Sequence, residues 1–156
     1  MKYKMKRKDL LSNEDIWNAV ISVISEYDFP TENRMTNELF IVFQYYSELE
    51  SGGHESLFTW FSEHIEKEGI TNYLKELIGI LEKIGAHNYA KIEKKYGEEM
   101  WRLFKALENN EIEEEDFYRV IEIANNEYYN LNGKLEELLE TYFLNIHTDL
   151  IEVVKD

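Results

Sequence analysis

Histidine and carboxylate side chains are the groups in this chain that could do metal or acid–base chemistry. There are four histidines and 32 acidic residues. No histidine lies in a His-Glu-x-x-His or Glu-x-x-His pattern, the spacings that place zinc or di-iron ligands on one helix face. We therefore predict no metal site. A metal-dependent enzyme assembled across helices from His54, His64 and nearby glutamates is kept as an alternative. The histidines are His54, His64, His87 and His147.

The sequence also lacks the patterns that mark nucleophilic and phosphate-transfer enzymes. It has no cysteine, no glycine-rich phosphate loop, no Gly-x-Ser-x-Gly and no Ser-x-x-Lys. Paired carboxylates are abundant, but acid–base catalysis needs two carboxyls held in different environments. Such abundance is more typical of a solvated acidic face. We predict that the protein is not an enzyme and uses no cofactor.

Negative charge is the strongest compositional feature. The formal net charge is −15, and the stretch from Glu108 to Asp156 has 14 acidic and 3 basic residues. A field of this sign repels nucleic acid and attracts basic protein surfaces, although it also keeps small proteins soluble. The acids that we predict to bind a partner are Glu111, Glu113, Glu114, Glu115, Asp116, Glu136, Glu137 and Glu140.

The first eight residues have the opposite charge. They contain five cations and no acid, and no apolar stretch of the kind found in signal peptides follows them. We predict that residues 1–10 form a basic flexible tail. The cations are Lys2, Lys4, Lys6, Arg7 and Lys8.

The apolar runs are too short to cross a membrane. The longest unbroken one is Leu39 to Phe43, whereas a spanning helix needs roughly 20 apolar residues. The expectation is a soluble cytoplasmic protein that does not contact a membrane.

Apolar residues recur at helical spacing over most of the chain. We predict an all-α fold, in which residues 11–156 form a single domain of about eight helices in an orthogonal or irregular bundle. No strand is expected. The predicted helices follow Ser12 and Thr36, cover Glu55 to Glu68, follow Thr71, cover Ala86 to Tyr96 and Met100 to Leu107, and follow the stripes Phe117 to Leu131 and Leu135 to Val153.

Glycines mark the predicted corners between helices. Gly52 and Gly53 follow a long apolar stripe, and Gly85 follows another. The free N–H groups after Gly53 could instead bind an anion, but three glutamates surround this turn and would repel one. We therefore predict that these three glycines are structural turns.

The glycine corner and the segments after it carry a family resemblance. They resemble a bacterial helical family that is typified by an acidic DNA-mimic protein and otherwise classed as a domain of unknown function. The similarity covers Asn37 to Tyr96, with departures at Ser51, His54 and Ser56. It implies an all-α protein that dimerises and that captures a DNA-binding protein through a DNA-like acidic surface. The matching segments are Glu48 to Gly53, Leu57 to Phe61, Ile84 to Ala86, and Tyr89 with Ala90.

These features favour a non-enzymatic binding module. Its acidic surface would occupy the basic, nucleic-acid-binding surface of a partner protein such as a transcription factor or nuclease, without contacting nucleic acid itself. An immunity or antitoxin protein that blocks a basic nuclease is a close variant. The remaining alternatives are the metal-dependent enzyme and a structural homodimer whose acids serve solubility alone.

Overall fold

Seven α-helices and two four-residue strands make up the computed structural model, which describes residues 3–156. The predicted all-α single domain is confirmed, because helices account for most of the described chain. The elements in chain order are β1 Tyr3–Lys6, a 3-10 helix Arg7–Leu10, α1 Asn13–Glu26, α2 Arg34–Trp60, α3 Ser62–Glu68, α4 Ile70–Lys83, α5 His87–Glu108, α6 Glu114–Tyr129, α7 Lys134–Leu150 and β2 Ile151–Val154.

Helix α1 begins at the predicted capping residue. The Ser12 hydroxyl accepts a hydrogen bond from the Asp15 N–H at 3.0 Å, and the Asp15 carboxylate accepts one from the Ser12 N–H at 3.2 Å. This reciprocal capping box satisfies two backbone donors at the start of the helix. The helix packs against α7, where the Trp17 and Phe143 ring centroids are 4.9 Å apart.

Helix α2 is bent at Gly52 and Gly53. Gly52 (φ −160°, ψ 19°) and Gly53 (φ 71°, ψ −162°) have non-helical backbone angles, and the chain resumes a helix at once. Gly85, with φ 86°, likewise follows the end of α4. The helix predicted over Glu55 to Glu68 is divided at Phe61, which separates the end of α2 from α3.

The two helices predicted over Ala86 to Tyr96 and Met100 to Leu107 form a single helix, α5. We expected a helix to end at Tyr96, just before Gly97, but α5 runs through both residues without a break. The glycine is buried where α5 meets α4, and a Cβ at this position would lie 2.8 Å from Leu74 Cδ1. Gly97 therefore serves a close helix contact and does not stop the helix.

The expectation of no strand is wrong at the two ends of the chain. Tyr3–Lys6 pairs in parallel with Ile151–Val154, so residues 3–10 are a strand and a 3-10 helix where a flexible tail was predicted. Lys2, also assigned to that tail, lies outside the described residues.

The last helix ends at Leu150 and not near Val153, because the β-branched residues after it favour extended backbone. In β1, half-buried and exposed side chains alternate over only four residues, which is too short a pattern to identify from sequence.

Aromatic side chains fill the space between the helices. Tyr45, Phe58, Phe117 and Phe143 are almost completely buried. None of the helices formed by residues 3–156 is long and apolar enough to cross a bilayer.

Candidate protein-binding surface and a buried polar cluster

The first predicted group of acids lies where α5 passes into α6. Glu111, Glu113, Glu114, Glu115 and Asp116, together the α6 acidic cluster, are exposed except for the half-buried Asp116. The last three occupy the first turn of α6, where negative charge complements the helix dipole. Asp116 approaches Arg119 at 3.9 Å, whereas the other four form no ion pair with residues 3–156. Four carboxylates are therefore available to an outside cation.

The second predicted group lies at the start of α7. Glu136 and Glu137 are exposed, and Glu140, one turn further, is half-buried. We call these three residues the α7 acidic cluster. The Asn13 side-chain N–H donates to Glu140 at 3.2 Å, and Lys134 approaches Glu137 at 3.4 Å. Most of the charge of this cluster is thus turned to solvent.

The two clusters are separate. The α6 acidic cluster precedes or opens α6, and the α7 acidic cluster follows its end. Helix α6 has 16 residues, a length of about 24 Å at 1.5 Å per residue. The predicted acids therefore form two patches at opposite ends of one helix.

Two glutamates that sequence analysis did not assign to the surface adjoin these patches. Burial raises the pKa of the Tyr46 phenol, and the carboxylates of Glu136 and Glu50 raise it further. Glu50 therefore lies near Tyr46, as does Glu136 of the α7 acidic cluster. At the other patch, the Tyr118 hydroxyl donates to Glu55 at 2.9 Å. Both glutamates come from α2, so their proximity depends on packing between helices.

The two histidines of the enzyme alternative lie in different surroundings. His64 packs between Phe29 and Phe61, with ring centroids 4.7 and 4.8 Å away, and burial lowers its pKa. His54 is fully buried against Glu93. In residues 3–156 no three His, Asp or Glu side chains converge as metal ligands would.

His54 belongs to a buried polar cluster that sequence analysis missed. Its Nε2 lies 2.7 Å from Glu93 Oε2, and the Tyr45 hydroxyl donates to the same oxygen at 2.8 Å. On the other side of the ring, Nδ1 lies 2.7 Å from Asn125 Oδ1. Tyr45, His54, Glu93 and Asn125, which we call the buried cluster, join α2, α5 and α6.

Burial opposes a charge on His54, but the Glu93 carboxylate more than compensates. The attraction of Glu93, with hydrogen bonds to Glu93 and Asn125, leaves the pKa of His54 above its ordinary value of 6.5. The side chains of His54 and Glu93 are 0% and 1% exposed, so solvent hardly screens their interaction. These surroundings favour the charged, doubly protonated form of the His54 ring.

Glycine at position 53 makes this cluster possible. A Cβ on Gly53 would lie 2.5 Å from Asn125 Nδ2 and 2.9 Å from Asn125 Oδ1. The next residue, His54, donates its backbone N–H to Asn125 Oδ1 at 3.0 Å. The corner thus brings the backbone of α2 directly against α6.

A sequence signal for the cluster does exist. Glu93 occupies the same helix face as the buried Tyr89, Gly97 and Met100. A carboxylate within an apolar stripe needs a charged or hydrogen-bonding partner inside the protein. The sequence does not show which residue that partner is.

Comparison with known proteins agrees with this architecture. A family model described as DMP19-like protein matches residues 32–147, a longer stretch than the predicted Asn37 to Tyr96. No curated protein and no solved structure matched the chain. The matched range includes the glycine corner, all four residues of the buried cluster and both acidic clusters. The chain therefore belongs to the DMP19-like family, a family of DNA-mimic proteins.

Proposed function

We propose that this protein is a non-enzymatic DNA mimic that occupies the basic, DNA-binding surface of a partner protein. Membership of the DMP19-like family, which is not a known enzyme family, supports the proposal. A net charge of −15 on a rigid helical frame gives the physical basis for it. Dimerisation and a cytoplasmic location stay predictions.

The observation that carries the proposal is that four of the five carboxylates of the α6 acidic cluster are exposed and form no ion pair with residues 3–156. Carboxylates that already held internal ion pairs would gain little from a partner's lysines and arginines. Exposed charges without such pairs attract basic surfaces over roughly a Debye length of 8–10 Å.

The spacing of the two acidic clusters suggests what such a partner presents. Their separation of about 24 Å along α6 corresponds to roughly seven base-pair steps of duplex DNA, at 3.4 Å per step. A partner that contacts phosphates at two places along a duplex fits this arrangement. One basic patch would meet Glu113, Glu114 and Glu115, and another would meet Glu136 and Glu137.

Competition with duplex DNA tests the proposal directly. Immobilised protein is incubated with a native cell extract at low salt, and bound proteins are eluted with duplex DNA or with 0.5 M salt. Both eluents should release the same basic protein, because duplex DNA and the acidic surface compete for one site. The proposal would be contradicted by a captured protein that stays bound in 0.5 M salt. It would also be contradicted by one that binds DNA while it is still bound to the immobilised protein.

A further inference from the structure

The α2 corner determines which side chains can reach Glu93. Tyr45 and His54 are nine residues apart, so an unbroken helix would place them about 13.5 Å apart along its axis and on opposite faces. In the structure both side chains bind Glu93 Oε2, at 2.8 and 2.7 Å. The buried cluster therefore forms only when the chain is bent at Gly52 and Gly53.

The contacts of His54 also determine where its protons lie. Asn125 Oδ1 accepts the backbone N–H of His54, so the amide oxygen must face the ring and Nδ1 must donate to it. The other ring nitrogen, Nε2, faces a carboxylate oxygen that the Tyr45 hydroxyl also uses as an acceptor. With Glu93 ionised, both ring nitrogens thus face acceptors, an arrangement that only an imidazolium satisfies fully.

We propose that the buried His54–Glu93 pair is a protonation-dependent lock that fastens the α2 corner to helix α6. When both of its ring nitrogens are protonated, His54 neutralises the charge of Glu93 and donates a hydrogen bond to Asn125. Helices α2, α5 and α6 are then joined. When the proton is lost, Glu93 becomes a buried and uncompensated carboxylate, and the ring donates through one nitrogen alone. Such a state is costly in a protein interior. The corner then opens, and α6, which carries part of the α6 acidic cluster, is released.

The other titratable groups that face the pair do not titrate with it. They are phenols: Tyr45 from α2, Tyr73 from α4 and Tyr128 from α6. Burial raises the pKa of each phenol, and nearby carboxylates or phenols raise it further. All three stay neutral while His54 loses its proton.

The direction of the pH effect follows from linkage. Because the pKa of His54 is raised by folding, its stabilising contribution is complete below pH 6.5 and is lost as the pH rises through the folded-state value. Between pH 6.5 and the folded-state value, the equilibrium constant for opening the corner should rise about tenfold per pH unit, and above the folded-state value it should level off.

The first part of the proposal is that His54 carries two ring protons in the folded protein. Nuclear magnetic resonance of the wild-type protein tests it without any substitution. The side-chain ¹⁵N shifts should show His54 protonated at both nitrogens at pH 6.5. A neutral His54 ring at pH 6.5 would overturn the lock.

The second part of the proposal is that the α2 corner opens when His54 loses its proton. Hydrogen exchange tests it. Between pH 6.5 and pH 9.5, after correction for intrinsic exchange, protection in α6 and in residues 54–60 should fall about tenfold for each pH unit by which the measured His54 pKa exceeds 6.5, while α1 and α4 change less than twofold. In a Glu93→Gln variant, the protection of α6 should no longer depend on His54 protonation, and a His87→Asn variant should behave as the wild type. A uniform loss of protection over all helices would overturn the proposal. Because these measurements involve no partner, their failure would leave the proposed DNA mimicry untouched.

Discussion

A Gly53→Ala substitution is expected to lower the free energy of unfolding by about 2–6 kcal/mol. About 1–3 kcal/mol comes from forcing an L-residue into backbone angles of φ 71° and ψ −162°, which are essentially restricted to glycine. About 1–3 kcal/mol more comes from displacing Asn125, which the new Cβ would approach to 2.5 Å, so that its hydrogen bonds to His54 are lost. Chemical denaturation of the two proteins gives the difference.

Gly69→Ala is the matched control for this prediction. Gly69 also has positive φ, at 86°, but a Cβ there would meet nothing within 4 Å. Its substitution should cost only the backbone part, about 1–3 kcal/mol. If Gly53→Ala lost no more stability than Gly69→Ala, the contact with Asn125 would contribute nothing to the fold.

Neutralising the α6 acidic cluster is expected to weaken partner binding roughly 5- to 150-fold at low salt. The triple substitution Glu113→Gln, Glu114→Gln and Glu115→Gln removes three exposed charges, each worth about 0.3–1 kcal/mol in a surface pair. The affinity should also become less sensitive to salt. Calorimetric titration of the DNA-displaceable partner over a range of salt concentrations measures both effects.

A second triple variant separates local from total charge. Glu14, Glu26 and Glu63 are exposed and lie on α1 and α3, so their change to Gln gives the same net charge with the α6 acidic cluster intact. This variant should bind within about twofold of the wild type. Equal weakening by both triple variants would mean that only total charge acts, as the solubility interpretation holds.

Helical periodicity predicted the class of the fold because a 3.6-residue repeat is a local property. Ser12 marked the start of α1, and Gly53 and Gly85 marked corners, since capping and positive φ restrict residue type locally. Gly97 misled the prediction, because a glycine needed for a close helix contact is indistinguishable in sequence from one that ends a helix.

The candidate site was predicted less completely, for a related reason. The exposure of Glu113 to Glu115 follows from their density in a loop and first helical turn. The association of Glu50 with the α7 acidic cluster, and of His54 with Glu93, depends on contacts between helices that are far apart in sequence. A single sequence does not show which of these helices come into contact.

The pairing of β1 with β2 places a constraint on the order of events during synthesis. Strand β1 leaves the ribosome well before its partner Ile151–Val154, which is made about 145 residues later. Until then β1 has no strand to bind, and the face of α1 that packs on α7 stays uncovered. The helices between them are local structures that form early. Pairing of the two strands therefore comes after synthesis of helices α1 to α7, and until then Tyr3, Met5 and Trp17 are open to chaperones and to proteases.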